Sequence, residues 1–166
     1  MKATAMSRTQ ADVHAVDNDD PVAQVANGMR SLIAAAIPSA RKIVLKDLVR
    51  SAGGLSRENW SFDATWTDDS GDHTFPPMLM RAAAGTLLNT DRQREFSVLK
   101  ALANTDVPAP QVFWIDKPGR WLGSPSIVMT RMPGQCDYMV LNNSSPLDVR
   151  LTLARAFTGL MAKIHA

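Results

Sequence analysis

The chain has 166 residues, of which 45% are hydrophobic and 20% charged, a composition that excludes a disordered protein. Its formal net charge of +2 comes from scattered lysines and arginines, so no nucleic-acid or anionic-membrane partner is predicted. The single cysteine, Cys136, cannot form an internal disulfide, and no apolar run is long enough to span a membrane. The N-terminus also lacks the apolar stretch of a secretory signal, so we expect a cytoplasmic protein.

Residues 1–20 are polar and rich in aspartate, which predicts a disordered tail. Asp20 and Pro21 then predict a helix start, because a capping carboxylate precedes proline at the first helical position. Pro38 ends the helix, since proline cannot continue it. The apolar residues between them recur at helical spacing and form one face: Val22, Val25, Met29, Leu32, Ile33 and Ala36.

Three strands are predicted after this helix. Ile43–Val49 is apolar and begins with β-branched residues, and Gly53-Gly54 after it ends the strand. Trp60–Thr67 alternates apolar and polar residues with a period of two, which is typical of a half-buried strand. Asp68–Asp72 has the composition of a turn. A short strand, Met78–Arg81, follows it.

The second half of the chain begins with a helix that Thr90 and Gln93 open as a capping box. It runs to about Ala103. Its pattern places Phe96, Leu99 and Leu102 inward, and Arg92, Arg94, Glu95 and Lys100 mostly outward.

Two strands, Val112–Ile115 and Ser126–Met132, come next, and Ser145-Pro146 starts a final helix. That helix carries an apolar stripe: Leu147, Leu151, Ala154, Phe157, Met161 and Ile164. The connections between strands are short, which favours an α+β fold with an antiparallel five-stranded sheet and packed helices.

A glycine-containing connection between the first two strands is the first candidate site. Gly53 and Gly54 would let the backbone approach a ligand closely, and the Ser56 hydroxyl adds a donor. The connection suits a flap over a triphosphate. A plain hairpin turn remains the alternative.

Two charged residues are candidate partners for phosphate. Arg81 ends the short third strand, where a cation could pair with α- and β-phosphates, or it is a surface arginine. Glu95 lies on the following helix, where a kinase needs a carboxylate to hold the phosphate-pairing cation. Its alternative is a solvent-facing glutamate.

The segment Met129, Thr130, Arg131 and Met132, followed by Pro133-Gly134, is the last candidate. An extended strand that leaves a sheet can offer its N–H and C=O groups to an adenine edge. An ordinary last strand with a turn is the alternative.

The order and spacing of these motifs resemble the aminoglycoside phosphotransferase (APH) family over roughly residues 40 to 166. The resemblance rests on GGLSRENWSFDA from Gly53, LMR from Leu79, the Arg94-Glu95 helix, VPAPQV from Val107, IVMTRMPG from Ile127 and LMAKIH from Leu160. It implies a protein-kinase-like N-lobe and Mg-ATP as phosphate donor.

By the same resemblance, Gly53, Gly54 and Ser56 would cover the phosphates. Arg81 would stand where kinases usually carry lysine, and Glu95 would orient it. Met129 to Met132 would form the hinge that holds adenine.

Phosphoryl transfer also needs a carboxylate near the acceptor hydroxyl and ligands for magnesium. In this family an H-G-D-x-x-x-x-N loop and a later Asp supply them. Neither motif occurs here, because His14, His73 and His165 are not followed by Gly-Asp. We therefore predict no catalytic and no metal-binding residue in this chain, and an unknown acceptor.

The resemblance divides the chain into a tail (1–20), an N-lobe with a leading helix (21–134), and a linker with the first helix of a C-lobe (135–166). We expect this chain alone to bind nucleotide without turnover, and to self-associate through its exposed C-terminal helix. The alternative is a non-catalytic nucleotide-binding or protein-interaction module with an N-lobe shape. Neither nucleic acid nor membrane is an expected partner.

Overall fold

The computed structural model describes residues 20–51, 57–76, 78–83, 91–134 and 145–165, with the backbone alone for 79–83. These residues form three helices and six strands. The helices are α1 (Pro21–Ala36), α2 (Arg92–Leu102) and α3 (Leu147–His165). The strands are β1 (Arg41–Arg50), β2 (Arg57–Asp68), β3 (Gly71–Thr74), β4 (Met78–Ala83), β5 (Val112–Asp116) and β6 (Ser126–Thr130).

The six strands form one antiparallel sheet in the order β1-β2-β4-β6-β5, and β3 pairs with the C-terminal part of β2. The α+β class is confirmed, and the predicted count of five strands is wrong by one. The missed strand, β3, consists of Gly71, Asp72, His73 and Thr74. It has no apolar alternation because its side chains lie mostly at the surface, so the sequence read as a turn.

Helix α1 starts and ends where the sequence predicts. Asp20 is its N-cap and accepts a hydrogen bond from the Val22 N–H at 2.9 Å, and Pro21 is the first helical residue. Met29, Leu32 and Ile33 are its buried apolar residues and belong to the main core.

The two faces of the sheet have different neighbours. Trp60, Phe62 and Ala64 of β2 alternate toward the core beside α1, together with Met78 and Val128. We call this the α1 face. Side chains in the other phase of each strand lie on the opposite face, which we call the α2 face because its residue Arg57 contacts α2.

The connection between β5 and β6 is built around a buried carboxylate. Asp116 is fully buried, and its two oxygens accept hydrogen bonds from the N–H groups of Arg120, Trp121 and Leu122 at 2.8, 2.9 and 3.0 Å. This connection packs against α1 so closely that a Cβ atom on Gly28 would lie 2.3 Å from the Trp121 carbonyl oxygen. Asp116 and Gly28 together fix where α1 sits.

The β2–β3 hairpin carries a charged cluster at its turn. Asp68 accepts hydrogen bonds from the Ser70 hydroxyl at 2.6 Å and the Ser70 N–H at 2.8 Å, and lies 2.8 Å from Nε2 of His73. The hydrogen bond from the Ser70 hydroxyl, then that with His73, lowers the pKa of Asp68 from its ordinary 3.8 to about 2.

This cluster gives an acid-side prediction. A carboxylate whose folded-state pKa is depressed stabilises the fold fully above pH 3.8, and this contribution is lost as pH falls through about 2. Asp68→Asn should therefore reduce the loss of unfolding free energy between pH 5 and pH 2. Asp69→Asn, at the same turn, should leave it unchanged, since the Asp69 side chain is 82% exposed. Identical curves for wild type and Asp68→Asn would contradict the assignment.

Helix α3 has no buried residue. Apolar side chains predicted to be exposed along it are exposed in the structure, including Leu147, Phe157 and Ile164. Its contact with the rest of the described chain includes an ion pair between Lys163 Nζ and Asp106 Oδ2 at 3.4 Å. Among the helices that the structure describes, none is both long and apolar enough to cross a membrane.

Candidate functional site

The first turn of α2 carries the best-defined charged cluster on the α2 face. Helix α2 begins after Asp91, whose side chain accepts from the Gln93 N–H at 2.9 Å, so Asp91 is the N-cap. The prediction that Thr90 caps this helix is therefore wrong, because the carboxylate one residue later takes that role. Thr90 itself lies outside the described residues.

Glu95 is the centre of this cluster. Its Oε1 accepts from Nη1 of Arg57 at 3.1 Å, and its Oε2 accepts from Nη1 of Arg92. The Glu95 side chain is 18% exposed and the Arg92 side chain 3% exposed. The outward prediction is right for Arg94 and Lys100 and wrong for Arg92 and Glu95. Periodicity missed both because an arginine and a carboxylate that pair with each other can be buried together.

Arg81 lies in β4, and its place in the ladder is known from the backbone. It is opposite Asn59 of β2 and opposite Ile127 of β6. Residues directly opposite each other share a face, and so do residues two apart on one strand. Arg81 is therefore in register with the α2 face, to which Arg57 also belongs.

The predicted adenine segment spans the end of β6. Met129 lies opposite Leu79 of β4 and Val112 of β5, and the Thr130 N–H donates to the Gln111 carbonyl at 2.8 Å. Both residues thus lie inside the sheet, with strands on either side. The backbone leaves the sheet only at Arg131.

Arg131 and Met132 are the two members of this segment that follow the strand. Nη2 of Arg131 lies 3.4 Å from Oδ1 of Asp63, a residue of the α2 face of β2. Met132 is exposed. The ion pair between Arg131 and Asp63 therefore holds the point where the chain leaves the sheet at the α2 face, where Arg57 also meets Glu95.

Gly53, Gly54 and Ser56 lie outside the described residues, so their predicted role stays a prediction. Cys136 lies outside them as well. The residues on either side of this segment pair with each other: Arg50 is opposite Trp60, and the Ser51 N–H donates to the Asn59 carbonyl at 2.8 Å. The glycine-containing connection therefore joins two paired strands.

Magnesium finds no ready set of ligands in the part of the chain that the structure describes. No group of three or more His, Cys, Asp or Glu side chains there could hold a metal ion. Glu95 is the carboxylate at the centre of this cluster, and both its oxygens accept hydrogen bonds from arginine. We therefore assign no metal-dependent step to these residues.

Sequence reasoning missed Arg57 and Arg92 as members of this site. Arg57 carries a usable signal, since it directly follows the predicted phosphate-covering segment. Arg92 offers none, because an arginine in the first turn of a helix is ordinarily a surface residue.

Comparison with known proteins places these features in a family. A family model described as phosphotransferase enzyme family (APH) matches residues 54–166. No curated protein matches the chain. Among solved structures, it is similar to a Ralstonia eutropha JMP134 protein whose assignment as an aminoglycoside phosphotransferase is itself provisional, with a TM-score of 0.55 and 20% identity. The match covers 82% of this chain and 37% of that one, and at this identity it shows the fold alone.

Proposed function

This chain belongs to the phosphotransferase enzyme family, and from that premise we propose that it supplies the ATP-binding part of a small-molecule kinase. The nucleotide would lie on the α2 face of the sheet. The complete reaction would transfer phosphate from ATP to a hydroxyl group of a small molecule. The identity of that acceptor is outside the proposal.

The observation that carries the proposal is the position of Glu95. A kinase needs a helix-borne carboxylate directed at the strand that carries the phosphate-pairing cation. Glu95 extends from the first turn of α2 toward the sheet, and Arg81 is in register with the face that it reaches. A surface glutamate, which was the alternative, would not share its carboxylate between two partly or fully buried guanidiniums.

Each residue has a distinct proposed task. Arg81 would bind the phosphate tail, and Glu95 would hold that cation in place through charge. The chain that leaves β6 at Arg131 and Met132 would offer main-chain groups to adenine. The 166 residues contain no His-Gly-Asp motif, so we propose that they bind nucleotide without transferring phosphate.

Thermal unfolding in the presence of ADP tests this proposal. Ligand at 100 times its Kd stabilises a protein by about 2.7 kcal/mol, which corresponds to a rise in Tm of roughly 5–10 °C for a chain of this size. Glu95→Gln should reduce the shift, because the neutral amide no longer orients a cation. Glu58→Gln is the matched control, since Glu58 pairs with Arg50 at 2.7 Å away from α2 and should retain the full shift.

Two results would contradict the proposal. A flat response of the wild type to ADP and ATP would remove the nucleotide site. Phosphate release by the purified chain above background would contradict the absence of turnover.

A second candidate function is favoured by the exposed apolar side of α3. Leu147, Phe157 and Ile164 lie on one helix and are each more than half exposed, and an exposed apolar patch commonly marks an interaction surface. We propose on this ground that the chain self-associates through α3. A flat nucleotide response combined with a mass that rises with protein concentration would favour this interaction module over the nucleotide site.

A further inference from the structure

Arg57 connects two parts of the structure that the sheet keeps apart. It is the first residue of β2, while α2 packs against β5 and β6, which lie toward the other edge of the sheet. Strand β4 separates β2 from β6. The ion pair between Arg57 and Glu95 therefore spans the position of β4 and joins β2 directly to α2.

The guanidinium of Arg57 has donors to spare. Arginine carries five N–H donors, and Glu95 is the one acceptor that Arg57 meets among the described residues. Its side chain is 29% exposed, so part of the group remains open to a ligand.

The register places Arg57 close to the proposed phosphate-binding residue. Asn59 is opposite Arg81, and Arg57 is two residues before Asn59 on the same face. Residues in this diagonal relation lie about 7–8 Å apart at the backbone, within reach of long side chains. Two arginine side chains that start from these positions can meet on one phosphate group.

We propose that Arg57 is a second phosphate-binding residue, which contacts the nucleotide's phosphate tail while Glu95 holds its guanidinium. This inference rests on the proposed function and extends it by one residue. It also implies that β2 and α2 are linked at the nucleotide site, because the Arg57 guanidinium would contact both the phosphate and Glu95.

Calorimetric titration of the 166-residue chain with ADP and, separately, with adenosine tests the proposal. Arg57→Ala should weaken ADP binding roughly tenfold, which corresponds to the loss of one charge-assisted hydrogen bond. Adenosine binding should be unchanged, since adenosine has no phosphate. Arg57→Lys should restore part of the ADP affinity, because the charge remains while the forked geometry is lost.

Arg50→Ala is the matched control. Arg50 lies on β1 and forms a carboxylate pair with Glu58 at 2.7 Å, so its loss removes an arginine and an ion pair away from α2. ADP affinity should stay within twofold of the wild type.

The possible failures are distinguishable. Wild type that does not bind ADP overturns the proposed function and this inference with it. Wild type that binds ADP, with Arg57→Ala binding equally well, overturns the inference alone. Equal losses for ADP and adenosine would show that Arg57 merely maintains the fold, and would also overturn it.

Discussion

Replacing Asp116 with alanine should lower the free energy of unfolding by about 3 kcal/mol or more, since a buried donor left without an acceptor costs about 1–3 kcal/mol. Its carboxylate accepts from the N–H groups of Arg120, Trp121 and Leu122, and it is fully buried. The substitution leaves these three partly buried donors without their acceptor. Chemical denaturation at pH 7 measures the change.

A graded series sharpens this expectation. Asp116→Asn keeps one acceptor oxygen but turns an NH₂ group toward backbone N–H donors, so we expect a loss of about 2 kcal/mol. Asp106→Ala is the control, because its side chain is 77% exposed and exposed sites usually change stability by less than about 0.5 kcal/mol. A fully stable Asp116→Ala variant would show that the carboxylate does not organise the β5–β6 connection.

Gly28→Ala should lower stability by about 1–3 kcal/mol, the usual range for overpacking a filled interior. The added Cβ would lie 2.3 Å from the Trp121 carbonyl oxygen and 3.1 Å from Cδ2 of Leu122. The first of these neighbours is backbone, which Asp116 holds in place through the Trp121 N–H. Helix α1 or the connection must therefore move, and the same denaturation experiment reports the change.

Gly159→Ala is the matched substitution in a helix with room for the new atom. Nothing described lies within 4 Å of a Cβ at Gly159. Alanine is favoured over glycine inside a helix by about 1 kcal/mol, so this variant should be equally or more stable than the wild type. If Gly28→Ala were also stabilising, the close packing of α1 on the β5–β6 connection would be wrong.

The elements that the sequence predicts well are those whose signal is local. Asp20-Pro21 marks the start of α1 because capping depends on adjacent residues. The alternation in β2 is confirmed because Trp60, Phe62 and Ala64 must all meet the same core. Strand β3 was missed because Gly71–Thr74 forms by pairing with β2 and buries little apolar surface.

The site shows the same division. Glu95 could be selected from the sequence because its position, on the helix after the Arg81 strand, matches the order of elements in a kinase N-lobe. Two of its partners, Arg57 and Arg92, come from a segment 38 residues away and from one turn before. Periodicity carries no information on pairing between distant elements, so the contact between Arg57 and Glu95 could be found only from the structure.

Asp116 shows another kind of miss. In the sequence it begins a polar turn with Pro118 and Gly119, and such residues are ordinarily at the surface. Its burial depends on the following N–H groups folding back onto the carboxylate. This is a tertiary arrangement that composition does not reveal.

Methyl NMR of methionine during titration with ADP tests the central claim most directly, because two buried methionines report on opposite faces of one sheet. Met129 is 2% exposed and opposite Leu79, in register with the α2 face, whereas Met78 is 0% exposed and belongs to the α1 core. A nucleotide on the α2 face should shift the Met129 methyl signal with increasing ADP and leave the Met78 signal in place. Shifts at Met78 without any at Met129, or no shift at either, would contradict nucleotide binding on this face.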